Sequence, residues 1–450
     1  MSTESWCMMK SIGQRTAAAL GKALAEGAVI IPNIIFAGLL FQHYGQYRFL
    51  LPFVLLYSFE KAGTFILQGF GKLKNPYKVL RYGLLLALLG CCFCLLGEFH
   101  FIFWEIGAIL TGLGLSNYNA IFKTIKSLLK EENKWKEKGS LAKGYIILGL
   151  MIVLLLWLRH AAITVVFVLF FLVLLILYVF IYQLEEEQGW QTQVAFEREE
   201  KSWLHFLPAT GMLLLSFFTR LLKQTADANY ILFIGLALCL FLIVGLFFTP
   251  LRFSLKALST LWFGASRNFL VIYSLVYFIA IDKLYMVGLA YVMIVLGLFL
   301  SMLIRSRFKA AIDKRHLLVI YLIGSIISSL LLLSPVTYFI GILLSCAFIA
   351  AGNNLVLQKY NKDETLPALE RRIVRSQFYG LGAIIQQVVL LSTLIAVSWF
   401  NGHNSALSAY SLSNNISNIE TSFFYTKLIC LVFIGLTGIF LIRPILKSTS

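Results

Sequence analysis

The amino-acid sequence predicts an all-α, multi-pass membrane protein, and three observations lead to that prediction. Of 450 residues, 59% are hydrophobic and only 13% are charged, whereas about a quarter of the residues in a soluble protein are charged. Apolar runs of 18 or more residues recur along the chain, and about 20 helical residues cross the ~30 Å hydrocarbon core. Basic residues are concentrated in every second loop between these runs, as in loops on the cytoplasmic side of a membrane.

The apolar runs predict fourteen membrane spans: 17–42, 48–70, 79–97, 101–122, 144–159, 161–183, 204–222, 229–249, 255–281, 284–304, 316–333, 336–358, 376–399 and 423–443. Placing the N-terminus in the cytoplasm puts the basic loops inside and the nearly uncharged loop Asn401–Thr421 outside. The acidic segment Glu185–Lys201 falls inside, but acidic residues contribute little to this rule. Both termini are therefore predicted to be cytoplasmic.

An internal repeat organises these spans. Residues 78–150 align without a gap with residues 314–386 at an offset of 236, which pairs Asn117 with Asn353. Spans 1–6 and 9–14 are then two parallel six-helix copies, related by an axis along the membrane normal. The predicted domains are 1–184, an acidic loop with two inserted helices at 185–250, and 251–450.

Polar residues interrupt the first span of each copy at matching positions. The first interruption is Ala23–Asn33, which contains Glu26 and Pro32, and the second is Gly264–Asn268. Helices that span a membrane break mainly where they line a cavity or are covered by protein. Both stretches are therefore predicted to be helix breaks beside a central cavity.

The layout resembles that of the major facilitator superfamily. Gly71–Asn75 resembles the family's Gly-x-Leu-x-Asp loop, with Lys78 and Arg81 following as the basic residues, although Asn75 replaces the Asp. The two inserted helices resemble fourteen-helix drug–proton antiporters and proton-coupled peptide transporters, but the diagnostic motifs of both are absent. The resemblance implies a secondary active transporter that moves a small solute by alternating access, with proton coupling.

Polar side chains inside the spans are the candidate substrate-binding residues, because such groups are costly in a bilayer unless they face a partner or a cavity. Arg267 suits an anionic or amphipathic substrate, and it alternatively serves as a counter-ion to Glu26 or Glu60. The other candidates supply neutral donors and acceptors: Asn33, Asn268, Gln386 and Gln387.

Four charged residues are candidates for proton coupling or gating: Glu26, Glu60, Lys61 and Glu105. For each of them a structural role is the alternative. For Glu26 this alternative is an ion pair with Lys22 at a tilted helix start. For Glu105 it is extension of the side chain to the membrane surface. Glu60 and Lys61 point about 100° apart on a helix, so each is expected to pair with another helix rather than with its neighbour.

Other function classes find little support in the sequence. All six His lie at span ends or in loops, and no phosphate-binding loop, metal-ligand spacing or nucleophile constellation is present, so neither an enzyme nor a cofactor or metal is predicted. The net charge of +17 lies in loops, so no nucleic-acid partner is predicted. The alternatives are a flippase for a lipid-linked glycan or lipid and a non-transporting membrane interaction protein. The compact loops favour a bacterial inner membrane, while substrate, direction, coupling ion and oligomeric state stay open.

Overall fold

The protein is almost entirely helical in the part that its computed structural model describes. The described residues are 16–25, 27, 30–42, 50–71, 75–132, 135, 146–147, 149–151, 153–154, 157, 163–187, 203–221, 241, 244–245, 253–281, 283–311, 316–366, 370–400 and 419–447. The chain divides into two compact units. Unit 1 is Met1–Leu213 with Pro367–Ile373, and unit 2 is Leu214–Leu366 with Val374–Ser450.

Unit 1 begins with helical residues 16–25 and 27. Its described helices are α1 (Ile30–Gln42), α2 (Leu50–Gly69), α3 (Pro76–Leu95), α4 (Ile102–Leu115), α5 (Tyr118–Glu131), α6 (Ile163–Glu187) and the first half of α7 (Phe206–Leu221). Asn75 begins α3, because its side chain accepts a hydrogen bond from the Lys78 amide and Pro76 follows at the first helical position. The Asn that replaces the expected Asp in the 71–75 loop is therefore a helix cap.

Unit 2 contains the second half of α7 and six further described helices. They are α8 (Leu255–Ala280), α9 (Leu284–Ala311), α10 (Leu317–Leu330), α11 (Tyr338–Asn361), α12 (Arg371–Phe400) and α13 (Ile419–Lys447). A single 3-10 turn, Leu331–Leu333, extends α10. These bounds agree with the predicted spans from residue 255 onward to within seven residues, and the largest difference is at the end of α9.

Helices long and apolar enough to cross a bilayer are present in both units. Within the described residues six qualify: Pro76–Leu95, Ile163–Glu187, Tyr285–Phe308, Tyr338–Asn361, Arg371–Leu394 and Glu420–Lys447. Two of them, α6 and α13, leave rows of large apolar side chains exposed, for example Leu172 and Ile176 on α6 and Leu436 and Phe440 on α13. Lipid accepts such faces and water does not.

The predicted break at Gly264–Asn268 is wrong, because α8 is a continuous 26-residue helix through this stretch. Gly264 instead permits a close helix crossing. A Cβ atom placed on it would lie 2.2 Å from the main-chain oxygen of Tyr379 on α12, and one on Gly382 would lie 1.9 Å from the oxygen of Leu261 on α8. The polar stretch therefore marks a contact between two backbones, where small residues are required.

The first span has Pro32 and Asn33 inside helix α1. Residues 26, 28 and 29, where a break would fall, lie outside the described residues.

The fourth predicted span, 101–122, is not one helix. Helix α4 ends at Leu115, and the Ser116 amide and hydroxyl both donate to the Leu113 oxygen. Helix α5 then begins at Tyr118 and carries three lysines, Lys123, Lys126 and Lys130. The two ends of the apolar run therefore belong to different helices. Much of two further predicted spans, 144–159 and 229–249, lies outside the described residues, so the count of fourteen stays a prediction.

Candidate functional site

Asn33 is the candidate substrate residue of unit 1. It lies on α1 with 2% of its surface exposed. Its Oδ1 atom has no hydrogen-bond partner within the described part of the chain. A buried carbonyl oxygen without a donor costs about 1–3 kcal/mol, so the position favours a ligand or water that supplies the donor.

Glu60 and Lys61 pair with each other, contrary to the expectation that neighbouring helical residues would point too far apart. Both are buried on α2, and Lys61 Nζ lies 3.2 Å from Glu60 Oε1. The long lysine chain bends back around the helix, with its ammonium group 5.2 Å from the centre of the Tyr57 ring. The carboxylate and ammonium thus form one buried ion pair, which is the unit that any gating or proton transfer would have to open.

Of the other two acidic candidates, the structure describes Glu105 but not Glu26. Glu105 lies in the first turn of α4, where the helix dipole stabilises a carboxylate, and it is half-buried and interacts with another group. Glu26 lies outside the described residues, so its role as a proton carrier stays a prediction.

In unit 2, the predicted residues Asn268, Gln386 and Gln387 come close to one another. Asn268 is buried on α8, and its Nδ2 atom donates to the main-chain oxygen of Ala383 on α12 at 2.7 Å. Gln386 and Gln387 are three and four residues after Ala383, so they lie one turn along the same face of α12. Asn268 therefore fixes the helix crossing beside the two glutamines.

Gln386 has the least satisfied polar side chain of this group. It is 1% exposed, and neither its amide nitrogen nor its amide oxygen has a hydrogen-bond partner among the residues that the structure describes. The thiol of Cys430 on α13 lies beside this amide but outside hydrogen-bond geometry. Gln387 is also buried, and its Oε1 atom likewise has no partner in the described ranges. These amides present both donors and acceptors to a polar ligand.

The side chain of Arg267 points in a different direction from that of its neighbour Asn268. Adjacent helical residues point about 100° apart, and Arg267 lies within electrostatic range of Cys346 on α11. It is half-buried and interacts with another group. The structure therefore places Arg267 inside unit 2, and its binding role stays a prediction.

Lys427 is a buried cation that the sequence analysis missed. It lies on α13 with 6% of its surface exposed. Its Nζ atom donates to the Leu333 oxygen at 3.3 Å and lies 5.6 Å and 5.5 Å from the ring centres of Tyr338 and Phe424. Its position inside an apolar run could have indicated a buried lysine. Because it lies near the end of that run, however, the sequence is equally typical of a surface lysine.

Ion pairs bind helix ends in both units. In unit 1, Arg81 on α3 pairs with Glu185 on α6 at 2.9 Å, between the rings of Tyr82 and Tyr182. In unit 2, Lys256 pairs with Asp363. Glu185 begins the acidic segment that disagreed with the charge rule, and its carboxylate neutralises a basic residue of the 2–3 loop region.

No group of three or more His, Cys, Asp or Glu side chains is arranged to hold a metal ion within the described part of the chain.

No family model matches the sequence, and no curated protein sequence matches it.

The apolar helices define the class as a multi-pass integral membrane protein. Its structure is similar to that of a bacterial homologue of the iron transporter ferroportin in an inward-facing state. The TM-score is 0.50 at 13% identity, over 98% of this chain and 100% of that chain. At this identity the likeness shows the fold alone, and a helical transporter fold of this length agrees with the layout described from the sequence.

Two further solved structures are more distant. The same homologue in an outward-facing state with soaked iron gives a TM-score of 0.48 at 10% identity, over 96% of this chain and 98% of that chain. The fucose:proton symporter FucP of E. coli gives 0.45 at 13% identity, over 96% and 98%.

Proposed function

We propose that the protein is a secondary active transporter that moves a small solute across the membrane by alternating access, coupled to protons. The observation that carries the proposal is a set of buried amides with unsatisfied atoms, Asn33 in unit 1 and Gln386 with Gln387 in unit 2. Apolar helices bury such groups only at a cost, so they favour a polar ligand that completes the hydrogen bonds.

The fold supports this mechanism. The bacterial protein that shares it at a TM-score of 0.50 is described as a homologue of the iron transporter ferroportin. Helices α4 and α11 begin at Ile102 and Tyr338, 236 residues apart, which equals the offset of the sequence repeat. Two similar copies are what a rocking mechanism about a central site requires.

The proposal gives each unit its own role. In unit 2, the amides of Gln386 and Gln387 bind the solute, with Asn268 holding α8 against α12 at that level. In unit 1, Asn33 offers its own unsatisfied acceptor to a polar ligand, and opening of the Glu60–Lys61 pair releases a carboxylate to take a proton. Glu26, Glu105 and Arg267 remain proposed members of the same machinery.

The test uses purified full-length protein in liposomes that contain a pH-sensitive dye. A panel of sugars, amino acids, carboxylates and ferrous iron is added one compound at a time under an imposed pH gradient. We expect one solute to move protons, and we expect Gln386→Leu to slow this flux about tenfold or more because two hydrogen bonds are lost.

Gln358→Leu is the matched control, since Gln358 is an exposed glutamine on α11 of the same unit. Equal flux in the two variants would reject the site. If no solute moves protons and a fluorescent lipid is translocated instead, the flippase takes the place of the transporter.

A further inference from the structure

Lys427 lies beside two aromatic rings of unit 2, where no described residue supplies an opposite charge. Its contacts are the Leu333 oxygen and the rings of Tyr338 and Phe424. Within the described ranges no carboxylate comes into ion-pair distance of its ammonium group. An ammonium group has three N–H donors, and this arrangement provides one oxygen acceptor.

The chain directly before and after Lys427 supplies no nearby carboxylate. Residues 401–418, which precede α13, contain no Asp or Glu. Glu420 is the nearest acidic residue in the sequence, seven positions before Lys427 on the same helix, and it is exposed. Seven residues correspond to a rise of about 10 Å, which is too far for an ion pair. A cation buried in an apolar setting without a counter-charge costs several kcal/mol.

Polar groups continue from Lys427 toward the amide of Gln386. Cys430 lies one turn after Lys427 on α13, and its thiol lies beside Gln386 on α12. Tyr273 on α8 is also near Cys430, and its hydroxyl donates to the Phe423 oxygen. Gln386 therefore lies beside a residue that is one turn of α13 from Lys427, within one unit.

We propose that Lys427 recognises the anionic group of the solute whose other polar group binds Gln386, and that the solute is a monovalent carboxylate with an apolar body. This inference rests on the proposed transport function and adds the charge class of the substrate. The aromatic rings around Lys427 offer contact to an aryl or alkyl group. A doubly charged phosphate or sulfate would lose far more hydration energy on entering such surroundings.

The alternative role for Lys427 is structural. Its bond to the Leu333 oxygen neutralises the carboxyl end of the turn that follows α10, as cations commonly do at helix ends. A purely structural lysine predicts lower stability on substitution but no dependence on anions. The two roles therefore differ in ligand binding and not in stability alone.

The test measures binding of sodium benzoate to the purified full-length protein in detergent, by calorimetry and by thermal midpoint. Benzamide is the neutral probe of nearly the same size and shape. We expect benzoate to bind and to raise the midpoint, and benzamide to do neither. In Lys427→Met the Kd of benzoate should rise about tenfold or more, because a charge-assisted hydrogen bond is lost.

Lys447→Met is the matched control, since Lys447 is an exposed lysine in the last turn of the same helix. It should bind benzoate as the wild type does. Lys427→Arg keeps the charge and should retain benzoate binding, which keeps the test decisive if Lys427→Met does not fold. Benzoate binding that is absent from the wild type, or unchanged in Lys427→Met, would overturn the inference.

The two proposals fail separately. Selective benzoate binding without any solute-driven proton flux would reject transport and retain the anion site. Proton flux driven by a neutral solute, without selective benzoate binding, would retain transport and reject Lys427 as the anion-binding residue.

Discussion

The close crossing of α8 and α12 predicts opposite effects for one substitution at two glycines. In Gly382→Ala the new Cβ would lie 1.9 Å from the Leu261 oxygen, whereas in Gly288→Ala on α9 no atom lies within 4 Å of it. Ordinary contact begins near 3.4 Å, so Gly382→Ala must separate the two helices by about 1.5 Å. The Asn268–Ala383 hydrogen bond, now 2.7 Å, would then exceed hydrogen-bond length.

The magnitudes follow from these two losses. Overpacking costs about 1–3 kcal/mol, and leaving the buried Asn268 amide unsatisfied costs about 1–3 kcal/mol more. Alanine regains about 0.5–1 kcal/mol because it is a better helix former than glycine. Gly382→Ala should therefore lower the free energy of unfolding by about 2–4 kcal/mol, and Gly288→Ala should raise it by about 0.5–1 kcal/mol.

The assay is denaturant titration of both variants in the same detergent, followed by helical circular dichroism. We expect Gly382→Ala to lower the free energy of unfolding and Gly288→Ala to raise it. Equal stability of the two variants would refute the close crossing, because the same methyl group would then find the same space at both positions.

The remaining predictions concern helix ends in unit 1. Asn75→Ala should lower the stability of the protein by about 1 kcal/mol through loss of the cap on Lys78, while Asn75→Asp keeps it, as thermal unfolding of both variants would show. Arg81→Met leaves the Glu185 carboxylate buried and should cost about 3 kcal/mol or more. The double variant Arg81→Met with Glu185→Leu should recover much of that loss in a double-mutant cycle, and additive losses would contradict the pair.

Much of the helical architecture could be predicted from the sequence. Helices α6 and α11 lie within a few residues of the predicted spans 161–183 and 336–358, because an uninterrupted apolar run of this length has few alternatives in a bilayer. Interruptions were harder to interpret. The polar residues at 264–268 indicated a break, but they pack against a second backbone, and hydropathy does not distinguish a cavity from a tight crossing.

The side-chain partners in the site could not be predicted from spacing alone. The pairing of Glu60 with Lys61 depends on how far a flexible lysine bends, which helical angles do not give. The turn at Ser116 depends on one hydroxyl bond to Leu113 inside an apolar run. The burial of Lys427 could be recognised only once the aromatic rings around it were known, because a lysine near a span end ordinarily reaches the surface.

The central claim, alternating access by two units, is tested most directly by measuring distances between spin labels. The seven native cysteines are first replaced. One label pair at exposed positions joins Phe99 in unit 1 to Val336 in unit 2, and a second joins Glu131 to Lys362. The first pair follows the predicted outer loops, and the second follows the predicted cytoplasmic ends.

Double electron–electron resonance measures the distances of both pairs in lipid nanodiscs. The measurements are made at pH 5 and pH 8 and with each solute of the panel. Alternating access predicts two populated distances for each pair, with one pair lengthening as the other shortens. A single, unchanged distance distribution for both pairs under every condition would contradict alternating access.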